Sequence, residues 1–303
     1  MEILYFLEGI RFPALDKLMM LITELGSETA FLAIALITFW CIDKRKGYYI
    51  MSVGFVGTIV SQAMKIACRI PRPWVLDPEF TTVEGAQADA GGYSFPSGHS
   101  QSSVGTFGSL ARTTDKRWFR IVCIVIAVLV PFSRMYVGVH TPADVLVGSG
   151  ISLALIFLMH GVVFSQNPKA MPWLLGIMVA VSTVYVLYVE LFPFPADTDP
   201  VNLSSAVKNA YTLMGALLGV VVTYWADETK LHFPVSAPWW AQVVKVSLGL
   251  ALVLAVKSLL KAPLDIIFAG HFVGRGIRYF LIVLVAGVVW PATFSWFEKL
   301  GKR

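Results

Sequence analysis

Three short clusters in this chain combine residue types that handle phosphoryl groups. Lys65 is followed after six residues by Arg72 and Pro73, Pro96-Ser97-Gly98-His99 comes next, and Ser133-Arg134 precedes His140 and Asp144. Together they supply three cations, two imidazoles, a carboxylate and a Ser-Gly turn. A phosphoryl group carries about −1.5 to −2 charge at neutral pH, so cations are its natural partners. Lys65, Arg72 and Arg134 are therefore the candidate phosphate holders, the arginines through planar two-point contacts.

The other residues fit roles around such an anion. Ser97, placed after a proline and before an apolar run, reads as a helix N-cap. The backbone N–H groups of Gly98 and His99 then face out of a helix start, where the dipole favours negative charge. Gly98 has no side chain to hold the anion away. Pro142 suits the first turn of a second helix, with Thr141 as its cap. His140 and Asp144 are four apart, so the carboxylate can meet one ring nitrogen and fix the tautomer. The other nitrogen is left as a nucleophile, and His99 becomes the general acid for the leaving oxygen.

A metal site is the nearest chemical rival. His99, His140 and Asp144 could form a two-histidine, one-carboxylate set, with Asp77, Glu79, Glu84 and Asp89 close in sequence. Three cations at the same place would repel a divalent ion. The expectation is no metal and no cofactor, with the acidic residues solvated.

The elements that must position these clusters follow from composition. The chain has 303 residues, of which 56% are hydrophobic and only 14% charged, against roughly 25% charged in soluble domains. Apolar stretches of about 20 residues recur along it, which is the pattern of transmembrane helices. The fold class expected is all-α, a polytopic transmembrane helical bundle of about nine spans. Those spans are expected near residues 15 or 28–42, 47–69, 97–112, 118–137, 140–164, 173–192, 208–225, 238–260 and 276–297. The third is short, so its start should lie in protein or an aqueous cavity. Residues 70–95 are too polar and too rich in Pro and Gly to span, and read as a long binding loop or lid. Met1 to Asp16 mixes apolar and charged residues as an interfacial amphipathic helix ending near Pro13 would.

Charge sets the orientation. Asp43-Lys44-Arg45-Lys46 and the basic stretch from Arg112 to Arg120 are expected to be cytoplasmic, as is the tail from Glu298 to Arg303. Counting spans from there puts Lys65, Arg72, His99, Arg134 and His140 together on the extracytoplasmic side. Trp173, Trp239 and Trp240 fall at expected span ends, as aromatic belts do. The net charge of +5 lies between spans rather than along one face, so no nucleic-acid partner is expected. Cys41, Cys68 and Cys123 are isolated in apolar stretches and form neither a disulfide framework nor a zinc site. No basic start precedes an apolar run with a cleavage site, so no cleavable leader is expected. No pattern in the chain fixes its oligomeric state.

The three clusters resemble, in residues and internal spacing, the three signature motifs of the type 2 phosphatidic acid phosphatase, or lipid phosphate phosphatase, superfamily. The resemblance covers roughly residues 15–164. It implies a metal-independent phosphatase with a helical core of five to six spans and a phosphohistidine on His140. It implies Asp144 as the partner of His140, His99 as the acid, and Lys65, Arg72, Ser97, Gly98 and Arg134 as phosphate ligands. Soluble vanadate-dependent haloperoxidases share this pocket, but the spans here argue against that branch. In bacterial members of this type the site faces outward, which implies an inner-membrane enzyme acting on isoprenyl diphosphate, phosphatidylglycerol phosphate, phosphatidate or a sphingoid phosphate.

The chain is accordingly expected to divide into a phosphatase core, 1–168, and an additional transmembrane bundle, 169–303. In the second part His271 and Arg275, with Arg278 close behind, lie in an expected outer loop at 261–275 and are possible head-group contacts. His160 and Glu190 read as structural groups near span ends. Two other functions would use the same residues. A phosphotransferase would pass the phosphoryl group from His140 to a second lipid or sugar, and a lipid transporter or binding protein would hold the head group without hydrolysis.

Overall fold

The structure is a computed structural model that describes residues 1–88 and 90–300. Asp89 of the acidic stretch, and Gly301 to Arg303 of the expected cytoplasmic tail, lie outside the described residues. Among the described residues there is no strand. The helices are α1 (Glu2–Gly9), α2 (Pro13–Glu24), α3 (Glu28–Cys41), α4 (Lys44–Cys68), α5 (Pro73–Leu76), α6 (Gly98–Thr113) and α7 (Arg117–Tyr136). They continue with α8 (Pro142–Val163), α9 (Ala170–Leu191), α10 (Pro200–Ala226), α11 (Trp239–Leu259), α12 (Lys261–Ile267), α13 (Phe272–Leu284) and α14 (Phe294–Lys299).

Among the described residues, seven helical segments are long and apolar enough to cross a membrane. The pair α2 and α3, bent by 49° at its break, makes an eighth when taken as one span. The remaining member of the expected nine is α6, which has 16 residues and carries Ser100, Gln101, Ser103, Thr106 and Ser109, all buried. Its polar groups are enclosed by protein, where Ser100 Oγ donates to Ser97 Oγ at 2.8 Å and Gln101 Nε2 donates to Ser152 Oγ at 3.3 Å. By contrast α7 exposes Trp118, Ile121, Val125 and Val128, the outward apolar face that lipid accepts. Trp173, Trp239 and Trp240 are exposed at the first turns of α9 and α11, as expected of interfacial aromatics.

Two expectations are corrected. Residues 261–275 are not an open loop, because Lys261–Ile267 form α12 and α13 begins at Phe272. Pro263 falls in the first turn of α12, where its missing N–H costs nothing. The expected blurred start of the first span is a defined bend at Leu25-Gly26-Ser27 between two helices.

The chain forms two compact units. One comprises residues 1–34, 49–161 and 194–206 and contains all three clusters. Its core includes Leu7, Met19, Val83, Ala86, Ala90, Tyr136, Val137 and Val139, so the long 70–95 segment is anchored on the ends of α2 and α7 by apolar burial. The other unit comprises residues 35–48, 162–193 and 207–303. In it the fully buried Lys245 donates to the carbonyls of Trp40 (2.9 Å) and Val235 (3.2 Å). Lys44 pairs with buried Asp227 at 2.8 Å. Lys245 and Asp227 are therefore both hydrogen-bonded, as burial requires.

Candidate active site

The start of α8 is built by a reciprocal cap. The Thr141 N–H donates to Asp144 Oδ2 at 2.7 Å, and the Asp144 N–H donates to Thr141 Oγ1 at 3.3 Å. This is the capping-box arrangement with Asp in the acidic position. It holds the Asp144 carboxylate beneath His140, with Oδ2 3.4 Å from Nδ1. Ser94 Oγ also donates to Oδ2, at 2.6 Å.

Arg72 and Asp144 flank the His140 ring. Arg72 Nη1 lies 2.9 Å from Nε2 and 3.5 Å from Nδ1, across the ring and not along one nitrogen's lone pair. The Nδ1 edge faces Asp144 Oδ2, which only accepts, and Ser94 Oγ, each 3.4 Å away, so the proton sits on Nδ1 and the lone pair on Nε2. The guanidinium is itself held by the carbonyls of Gly92 (2.9 Å), Gly91 (2.8 Å) and Val139 (3.0 Å). Arg72, expected as a phosphate holder, thus lies against the nitrogen expected to be nucleophilic.

Lys65, near the end of α4, donates to the carbonyls of Tyr93 (2.6 Å) and Ser94 (3.2 Å). Both cations of the first cluster are therefore clamped by the 91–94 strap that also carries Ser94. Ser97 caps α6, its Oγ accepting from the Ser100 N–H at 3.3 Å, and its own N–H donates to the Asp144 carbonyl at 2.9 Å. The starts of α6 and α8 are joined through that bond. Gly148 permits the approach, since a Cβ there would lie 2.5 Å from the Ser97 carbonyl oxygen. At Gly98 a Cβ would meet no atom within 4 Å, so space is open beside the first N–H groups of α6. His99, half-buried, stands next to that space.

Arg134, in the last turn of α7, is buried and donates through Nη1 to Thr23 Oγ1 at 2.9 Å. Lys65, Arg72, Arg134 and His99 all bear electrostatically on His140. Burial first, then Arg72, Lys65, Arg134 and His99, hold the His140 imidazole well below its usual 6.5 and hence neutral. The structure thus gathers Lys65, Arg72, Ser97, Gly98, His99, Arg134, His140 and Asp144 at one end of α4, α6, α7 and α8. The arrangement suits capture of a tetrahedral anion beside a neutral imidazole.

Sequence reasoning missed Ser94 and Thr23. Ser94 gave no signal beyond its place just before Pro96. Thr23 was visible only as a polar residue in an otherwise apolar turn. His271 and Arg275 lie in the other unit. His271 Nδ1 accepts from the Val273 N–H at 3.2 Å and caps α13, and Arg275 Nε donates to Thr212 Oγ1 at 2.7 Å. Of the acidic residues, Asp77 accepts from Tyr5 OH at 2.7 Å, while Glu79 and Glu84 are exposed.

Comparison with known families matches residues 45–168 to the model described as PAP2 superfamily. Residues 211–303 match the model described as PAP2 superfamily phosphatase, transmembrane extension. Phosphatidylglycerophosphatase B of Bacillus subtilis is 30% identical over 164 residues, covering 50% of this chain and 77% of that protein. An undecaprenyl-diphosphatase of Sulfolobus acidocaldarius is 30% identical over 135 residues, covering 44% of this chain and 64% of that protein. Sphingosine-1-phosphate phosphatase 2 of Mus musculus is 24% identical over 287 residues, covering 92% of this chain and 75% of that protein. No solved structure matches the chain.

Proposed function

This chain belongs to the PAP2 superfamily and is an integral-membrane phosphatase, and from that premise we propose that it hydrolyses a lipid phosphate or diphosphate through a phosphohistidine on His140. The observation that carries the reading is the Asp144 carboxylate and the Ser94 hydroxyl on the Nδ1 side of His140, with Arg72 lying against the ring at Nε2. Acceptors beside Nδ1 keep the proton there and leave Nε2 to attack.

The chemistry follows from the positions. Lys65, Arg72, Arg134 and the α6 N-terminus bind the phosphoryl oxygens. Burial, then Arg134, Arg72 and Lys65, hold His99 down to about 3, so it takes up a proton from solvent as the phosphoryl anion enters and offsets those cations. The Nε2 lone pair forms the N–P bond while the bond from phosphorus to the lipid oxygen breaks, and His99 gives that proton to that oxygen. Asp144 and Ser94 hold the Nδ1 proton and stabilise the imidazolium that develops. Water then attacks phosphorus, losing its proton to His99, and the N–P bond breaks to release inorganic phosphate and restore the neutral imidazole. No step calls for a metal, and the cations around the pocket oppose one.

The class of substrate is a lipid with a terminal phosphate or diphosphate: isoprenyl diphosphate, phosphatidylglycerol phosphate, phosphatidate or a sphingoid phosphate. The names of the relatives support the class. The setting proposed is a bacterial inner membrane with the site on the outer face, supported by the basic loop between α6 and α7 at the end opposite the site. Phosphate release by the purified protein in detergent, with chelator present, tests the reading across those lipids. Chelator-resistant release that His140→Ala abolishes, with an acid-labile phosphoenzyme, is the expected result. Release that needs a lipid or sugar acceptor would identify a transferase instead. Lipid movement that survives His140→Ala, without release, would identify a transporter.

A further inference from the structure

The bend between α2 and α3 reaches the site from outside the family-matched segment 45–168. Thr23, in the last turn of α2, is 1% exposed and its Oγ1 accepts from Arg134 Nη1, itself 1% exposed, at 2.9 Å. Three residues later, a Cβ at Gly26 would lie 2.9 Å from the His99 carbonyl oxygen and 2.6 Å from Val130 Cγ1. The bend is therefore pressed against both the start of α6 and the body of α7. Asp16, also on α2, accepts from Tyr136 OH at 2.7 Å. The helix carrying Thr23 is thus fixed to the end of α7 that carries Arg134.

The choice of a hydroxyl has a physical consequence. A guanidinium has five N–H donors and no acceptor, so orienting it takes acceptors around its rim. A carboxylate at this place would also neutralise the charge and compete with the substrate. A hydroxyl fixes the orientation and leaves the positive charge available to an anion. We propose that Thr23 is a positioning residue whose hydroxyl aims the Arg134 guanidinium at the phosphoryl group, so that the bent N-terminal helix completes the anion pocket. This rests on the reading of Arg134 as a phosphate ligand.

Binding of orthovanadate to the purified full-length protein, measured by calorimetry beside melting temperature and the KM for a short-chain lipid phosphate, tests it. Thr23→Val keeps the shape of the side chain and removes the acceptor. It should fold, yet weaken vanadate binding and raise KM by roughly tenfold or more, the scale of a hydrogen bond to a charged group. Thr23→Ser restores the acceptor and should recover both values to within about threefold. Should Thr23→Val not fold, Thr23→Ala carries the same comparison with Thr23→Ser. A lowered melting temperature with unchanged vanadate binding would mean that Thr23 only packs, and overturns the proposal. Arg134→Gln separates the two levels. If it leaves vanadate binding intact, the reading of Arg134 is wrong; if it weakens binding while Thr23→Val does not, Thr23 alone has been misassigned. Combining Thr23→Val with Arg134→Gln should cost no more than Arg134→Gln alone, because both act through one contact.

Discussion

Ser94 Oγ stands 2.6 Å from Asp144 Oδ2, closer to the carboxylate than the His140 ring nitrogen at 3.4 Å. The hydroxyl fixes the rotation of the carboxylate, and the carboxylate orients the imidazole. Ser94→Ala should therefore lower kcat by about tenfold with little change in KM, the scale of one hydrogen bond to a charged group. Asp144→Asn removes the charge and admits the wrong tautomer, for which a loss of about 10⁴-fold is the precedent. Steady-state kinetics on both variants checks the ranking, and equal losses would show that Ser94 does not act through the carboxylate.

The environment of His140 predicts a displaced acid limb. Burial, then the neighbouring cations, hold its imidazole well below 6.5. A depressed value means the ring stays deprotonated, and so nucleophilic, as pH falls through 6.5. The limb of kcat/KM belonging to His140 should then appear only well below that pH. Arg72→Gln removes the cation that acts most strongly on the ring but leaves the burial. Its limb should move up toward 6.5 without reaching it, in whatever residual activity remains. A wild-type limb at 6.5 or above would contradict a buried, cation-flanked nucleophile.

Gly98 and Gly148 invite the same substitution with opposite expected outcomes. A Cβ at Gly98 meets nothing within 4 Å, whereas at Gly148 it would lie 2.5 Å from the Ser97 carbonyl oxygen. Gly98→Ala should keep or slightly raise the melting temperature, since helical Gly→Ala gains roughly 0.5–1 kcal/mol. Its methyl group would occupy the space for the anion, so vanadate binding and phosphate release should fall. Gly148→Ala should instead lower the melting temperature by forcing α6 and α8 apart. Thermal unfolding and vanadate binding, measured on both, separate a ligand space from a packing contact.

How much of this was legible follows from the range of each interaction. Cap signals are local, so the starts of α6 at Gly98 and α8 at Pro142 could be read from Ser97, Thr141 and Pro142. The pairing of His140 with Asp144 is one helical turn. Ser94 and Asp144 are 50 positions apart and Thr23 and Arg134 are 111 apart, and no local pattern in one sequence announces such contacts. The count of spans differs by one for a different reason. Apolar length marks removal from water and does not say whether lipid or protein replaces it, so α6 looked like a span. Residues 261–275 lie between two expected spans and so read as a loop, although Pro263 is compatible with the first turn of the helix that forms there.

The segment at 194–206 gives the last prediction. It follows α9 in the chain yet belongs to the unit that holds the site. Arg69 Nη1 donates to Thr198 Oγ1 at 3.1 Å and reaches Asp197 Oδ1 at 3.4 Å. The Asp199 N–H donates to Tyr93 OH at 3.4 Å. Tyr93 in turn supplies the carbonyl that holds Lys65 at 2.6 Å, so the segment backs the strap that clamps both cations of the first cluster. A chain ended after residue 168 should therefore lose at least roughly tenfold in phosphate release, since small misplacements of binding groups cost that much or more. A double variant, Arg69→Gln with Tyr93→Phe, should reproduce part of the loss in the full chain. If the shortened protein, shown to be folded by thermal unfolding, releases phosphate at the full rate, then residues 45–168 position their own cations and the segment is only a connection.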